Sequence, residues 1–93
     1  MIRSFGNKNT EKLFQREFVK AFSHDVQEQV LKRLRYLDAA SRLDDLRVPP
    51  SNRLHLLAGN LKGWHSISVN AQWRIIFQWK NGAAEKVEMT DYH

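Results

Sequence analysis

Residues 64–93 read WHSISVNAQWRIIFQWKNGAAEKVEMTDYH, and this stretch decides the fold. Two turn signals, Asn70-Ala71 and Asn81-Gly82, divide it into three consecutive antiparallel strands. Asn-Gly between β-formers is a strong hairpin signal, because a type I′ turn needs positive φ at both central residues. The middle strand, residues 72–79, carries Trp73, Ile75, Phe77 and Trp79 on one face. Arg74, Ile76 and Gln78 lie on the other. Apolar residues on both faces predict a central strand rather than an edge. A two-residue turn at Asn81-Gly82 pairs Lys80 with Ala83. Trp73 then faces Thr90, Arg74 faces Met89, and Asp91 lies diagonally from Arg74. A bulge would change that register.

Working outward, residues 53–57 return to β character after Pro49-Pro50, a pair that excludes regular helix or central strand. Further back, Val26, Val30, Leu34 and Leu37 recur at helical spacing and predict a helix over residues 26–40, with Asp25 and Glu28 resembling a capping box. An earlier helix starts at Asn9 or Thr10, with Glu11 in its first turn, and ends near Phe18 or Val19. Residues 2–5 alternate as a short strand would. The expected fold class is α+β: two N-terminal helices packed on a small twisted, mainly antiparallel sheet. Ninety-three residues make one domain, residues 1–93.

The chain lacks cysteine, so neither disulfides nor thiolate metal sites staple it. No apolar run is long enough to span a membrane, and the N-terminal residues lack the apolar core of a signal peptide. The expected compartment is the cytoplasm. A net charge of +5 suits a polyanionic partner such as nucleic acid or the ribosome, although ordinary solubility charge explains it equally well.

No Walker loop, HExxH or Gly-x-Ser-x-Gly occurs. His24, His55, His65 and His93 have no partners at metal spacing, so no metal or other cofactor is expected. What remains is a set that the sheet gathers: Arg74 on the middle strand, Asp91, Tyr92 and His93 at the C-terminus, and His55 with Lys62 just upstream. RNA cleavage needs a base for the 2′-OH, a cation for the phosphorane, an acid for the 5′-oxygen and a surface for an unstacked base. Arg, Tyr and His near an Asp fit that list. Taken singly, Arg74 and Asp91 read as a surface ion pair, Tyr92 as packing and His93 as a frayed end. Physical chemistry alone leaves both readings open.

Several strings occur together: Leu54-x-x-Leu57-x-Gly59, Gly63-x-x-Ser66-Ile67, Asn70-x-Gln72-Trp73-Arg74-Ile75 and the terminal Asp91-Tyr92-His93. Upstream lie MIRSF, Leu37-Asp-Ala-Ala40, Leu43-Asp-Asp-Leu46 and Pro49-Pro-x-Asn-Arg-Leu54. Jointly these resemble the HigB family of the RelE/ParE toxin superfamily, over nearly the whole chain. The resemblance implies a toxin of a type II toxin-antitoxin system. It implies a ribosome-dependent endoribonuclease that cuts mRNA in the A site and leaves a 2′,3′-cyclic phosphate, without a metal. A HigA-like helix-turn-helix antitoxin would neutralise it, and operator DNA would be met only through that antitoxin. Arg74 falls on the family's catalytic arginine. Asp91, Tyr92 and His93 fall on its C-terminal catalytic and substrate-contacting set, and His55 on a position that is histidine in some members. Lys62 and Arg53 are candidate RNA contacts.

One departure stands out. Many members have Leu-Lys-Gly-Asp-Arg where this chain has Leu57-Ala-Gly-Asn-Leu61. Ala58 replaces a lysine implicated in proton transfer or phosphate binding, so a weak or selective toxin is expected. The rival from another class is a binding module of the same fold, acting without catalysis, as gyrase-binding ParE relatives do.

Overall fold

The structure, a computed structural model, describes residues 1–92. Two helices come first, α1 (Lys8–Phe14) and α2 (His24–Ala39). Four strands follow: β1 (His55–Leu56), β2 (His65–Ser68), β3 (Trp73–Lys80) and β4 (Ala83–Asp91). They pair antiparallel in the order β1-β2-β3-β4, so β3 has a neighbour on each side, as its two apolar faces predict. Short 3₁₀ turns, Leu43–Arg47, Pro50–Asn52 and Gly59–Leu61, fill the connections.

The β3–β4 hairpin closes on Asn81 and Gly82, with φ of 52° and 75° as a type I′ turn requires. From the turn the register runs as expected through Gln78↔Glu85 and then slips by one. Lys86, at φ 54°, is the inserted residue of a β-bulge. Beyond it Arg74 faces Thr90, not Met89, and Trp73 faces Asp91, not Thr90. This corrects the neighbourhood of Arg74. Successive side chains alternate faces, so Asp91 shares the face of Trp73, and Arg74 shares that of Ser68 and Thr90.

The outer edge of β4 is covered by residues 2–5. Ile2 and Phe5 form parallel bridges with Ala84 and Val87. Arg3 N donates to Ala84 O at 2.7 Å, and Gly6 N donates to Val87 O at 2.8 Å. The short N-terminal segment therefore satisfies an edge that would otherwise invite pairing.

Both helix starts differ from expectation. Asn7 caps α1, its Oδ1 accepting from Thr10 N at 2.9 Å. Thr10 is fully buried, and its Oγ1 accepts from Met89 N, which pins α1 to β4. Helix α1 ends at Phe14, short of residues 18–19; Arg16 turns left-handed at φ 64° and Phe18 is left exposed. Ser23, not Asp25, caps α2, because its Oγ reaches Val26 N. The strand expected over residues 53–57 shrinks to His55–Leu56, since Arg53 is left-handed at φ 48°.

The helix-facing side of the sheet carries the core. Val30, Leu34 and Leu37 of α2 cluster with Ile67, Ile75, Phe77, Ala84 and Val87. Each large aliphatic side chain buried there contributes roughly 1.5–3 kcal/mol. His65 sits at the rim of this core, its ring stacked on Phe77 at 5.8 Å between centroids. Burial pushes its pKa below the ordinary 6.5. Because the folded value is depressed, the unfolded chain binds more protons below about pH 6.5, so stability is full above that pH and falls as the pH drops. Melting at pH 5.5 and 7.5 is expected to show a drop that shrinks in His65→Leu; an equal drop in both proteins would assign it to other groups.

Candidate functional site

The opposite face of the sheet holds Arg74. The residue is only partly exposed, and its Nε is shielded from solvent without a hydrogen-bond partner among the described residues. A buried N–H left unpaired costs on the order of 1–3 kcal/mol. The hydrophobic strand around it, with Ile75, Ile76 and Phe77 all buried, fixes the backbone from which the guanidinium projects. The guanidinium carbon stands 5.3 Å from the centroid of the Tyr92 ring, a cation–π contact. Tyr92 itself is 40% exposed, so one end of the pair meets solvent.

These two residues line an open groove of about 330 Å³ together with Arg53, Leu54, His55 and Ser66. His55 pairs with Ser66 on β2, and alternation puts both on the Arg74 side of the sheet. Arg53 reaches the groove from the left-handed residue that ends the Pro50–Asn52 turn. Behind that turn Asn52 is fully buried, its amide donating to Leu46 O at 3.1 Å. The turn that presents Arg53 is thus anchored in the interior.

Of the residues singled out in the sequence, Arg74, Tyr92, His55 and Arg53 come together here. Asp91 stands across from Trp73, where Gln72 Nε2 donates to its Oδ2 at 3.4 Å. Lys62 is exposed at the end of the Gly59–Leu61 turn and does not line the groove. Ala58, exposed, opens that same turn. His93 lies outside the described residues. Ser66 was not named as a site residue; its signal is its place in the Gly63-x-x-Ser66-Ile67 string. Among the described residues no group of three or more His, Asp or Glu side chains is placed to hold a metal ion. Nor is any helix among them long and apolar enough to cross a membrane.

The arrangement offers a rigid cation beside a stacking ring, an imidazole and a second cation, on a half-open surface. Such a set suits a phosphodiester next to an unstacked base.

The fold is shared with small proteins of known structure. It superposes on YafQ from E. coli with a TM-score of 0.59, at 14% identity, covering 99% of this chain and 94% of that one. It also superposes on the conserved hypothetical protein HP0894 from Helicobacter pylori, with a TM-score of 0.58 at 16% identity, covering 99% and 96%. In sequence, Endoribonuclease HigB of Proteus vulgaris is 34% identical over 93 residues, the full length of both chains. Toxin HigB-1 of Vibrio cholerae is 52% identical over 59 residues, which span 63% of this chain and 62% of that relative. Residues 3–93 match the family described as RelE-like toxin of type II toxin-antitoxin system HigB. The chain belongs to this HigB-like toxin family. A toxin of a type II system has an antitoxin partner.

Proposed function

We propose that this protein is a cytoplasmic endoribonuclease that cuts mRNA in the ribosomal A site. The observation that carries this reading is the Arg74 guanidinium. It is partly buried, forms no ion pair among the described residues, and shares one groove with Tyr92, His55 and Arg53. An unneutralised cation held rigidly in a groove is poised for an anion. In the proposed reaction the 2′-oxygen attacks the adjacent phosphorus and the bond to the 5′-oxygen breaks. A 2′,3′-cyclic phosphate and a free 5′-hydroxyl result. Arg74 stabilises the charge that grows on the phosphorane oxygens. Tyr92 stacks against an unpaired base. His55, in the groove, and His93 are the groups available to move the two protons, while Asp91, on the Trp73 face of the sheet, lies outside the groove; Arg53 and Lys62 hold flanking phosphates. Much of the substrate's orientation comes from the ribosome, consistent with a groove this open.

A HigA-like antitoxin is the proposed partner of the toxin, and operator DNA is reached only through it. The rival, a ParE-like toxin that binds gyrase without cutting RNA, leaves Arg74, which has no ion pair among the described residues, without a purpose. A direct test programs ribosomes with a defined mRNA, adds the purified protein and maps the ends. The expected result is a cut inside the A-site codon with a cyclic phosphate on the upstream fragment. Intact mRNA together with arrested gyrase would favour the rival.

Two further outcomes are expected. Removing Tyr92 and His93 lowers cutting by roughly 5- to 150-fold, since one lost base stack is worth about 1–3 kcal/mol. The melting temperature stays close to that of the full chain, because both residues follow the last strand residue, Asp91. Unchanged cutting would remove the C-terminus from the site. Ala58→Lys, at an exposed position, raises cutting by about tenfold, the value of one charge-assisted hydrogen bond of ~1.5 kcal/mol. Unaltered activity would show that this position does not limit the toxin.

A further inference from the structure

A second and larger concavity, of about 600 Å³, adjoins the Arg74 groove and shares Arg53 and Tyr92 with it. Its far side is formed by Arg33, Ser51, Asn70 and Ala71. Arg33 comes from α2. The structure gives this arginine a fixed place. Its Nη1 donates to Oδ1 of the fully buried Asn52 at 2.6 Å and to Ser51 Oγ at 3.4 Å, and its guanidinium carbon lies 5.9 Å from the centroid of the Tyr36 ring. These two hydrogen bonds engage a single terminal nitrogen.

Two of the other arginines are neutralised locally, whereas Arg16, Arg35 and Arg42 form no ion pair among the described residues. Arg3 pairs with Glu85 at 2.6 Å, and Arg47 with Asp44 at 3.0 Å. Among the described residues Arg33, Arg53 and Arg74 form no ion pair, and all three line the two joined concavities. Three guanidinium groups lining joined concavities, with no ion pair among the described residues, present a positive surface to a polyanion lying along it. Arginine's planar fork matches phosphate oxygens, and Ser51 and Asn70 add neutral hydrogen-bonding groups at the wall.

We propose that the Arg33 cleft is a second phosphate subsite. It binds an RNA phosphodiester beyond the reacting one, so that RNA passes from Arg74 over Tyr92 and Arg53 to Arg33. This rests on the reading of the Arg74 groove as the cleaving site. The phosphodiester belongs either to the nucleotide flanking the cut on the mRNA or to ribosomal RNA beside it.

The test is a binding measurement in the Arg74→Ala protein, so that its readout does not depend on cutting. Arg33→Gln removes the cation. Ala71→Glu adds a carboxylate at an exposed position on the cleft wall, with melting curves to check its folding. Affinity is measured for vacant ribosomes and for ribosomes carrying mRNA across the A site, with melting curves alongside. Each variant is expected to bind mRNA-programmed ribosomes about tenfold more weakly. The salt dependence of Arg33→Gln falls by about one counterion. Unchanged affinity for vacant ribosomes assigns the phosphate to the mRNA strand, and an equal loss on both assigns it to ribosomal RNA. Ala71→Glu binding both kinds of ribosome as tightly as its parent overturns the proposal. If the wild-type chain cuts no mRNA but Ala71→Glu still weakens binding, the cleavage reading fails and the subsite stands.

Discussion

Replacing Arg74 with alanine is expected to lower mRNA cutting by about 10²–10³-fold, the usual loss when one fixed donor to a developing oxyanion is removed. The effect is large because the guanidinium acts on charge that appears only as the phosphorane forms. Its position is set by buried neighbours on the central strand, Ile75 and Phe77, and by the Tyr92 ring. The same substitution removes a buried Nε that has no hydrogen-bond partner among the described residues. Melting is therefore expected to stay level or rise, opposite in sign to the loss of activity. Arg74→Lys keeps the charge but loses the planar fork, and should recover only part of the rate. A variant that unfolds, or one that still cuts at the wild-type rate, would contradict this role.

The second large effect is on stability. Phe77→Ala is expected to cost about 3–5 kcal/mol, as the loss of a buried aromatic ring usually does. Phe77 is the largest of the fully buried side chains, and it belongs to the cluster that joins Leu34 of α2 to Ile67 and Val87 of the neighbouring strands. It also lies at the bulge, where the β3–β4 register slips, so little backbone pairing there compensates for a cavity. A domain of this size is typically stable by only about 5–15 kcal/mol. At roughly 4–8 °C per kcal/mol, melting should fall by more than about 12 °C in chemical or thermal denaturation. Phe77→Leu, which keeps most of the volume, should lose less than half as much. Equal losses would show that packing at this point is not specific.

The Asn81-Gly82 turn, the central place of β3 and the existence of α2 were legible because each rests on local signals: a turn dipeptide, a two-sided apolar run and a helical repeat. The family strings were legible for the same reason, since they are contiguous. The register around Arg74 was not. It depends on Lys86 adopting φ 54°, which no residue preference signals, and that one inserted residue moved Asp91 to the side of Trp73. The groove was only half legible. Hairpin arithmetic joined Arg74 to Asp91, which the structure separates, while Tyr92 and His55 were gathered with Arg74 only as neighbours in the sheet. Arg33 and Ser51 enter through the packing of α2 on the buried Asn52, a contact between residues 19 positions apart that no periodicity encodes. The short first helix was over-extended for a related reason. Phe18 continues the apolar spacing of Phe14, yet the backbone turns at Arg16 and leaves it in solvent.

The central claim is that the groove around Arg74 cuts translated mRNA. The most direct test induces the wild-type chain and Arg74→Ala separately in cells and maps mRNA 5′ ends across the transcriptome. New ends inside codons, in frame with translation, are expected with the wild-type chain and absent with Arg74→Ala. Growth arrest by the wild-type chain with no new ends, or the same ends produced by Arg74→Ala, would contradict it.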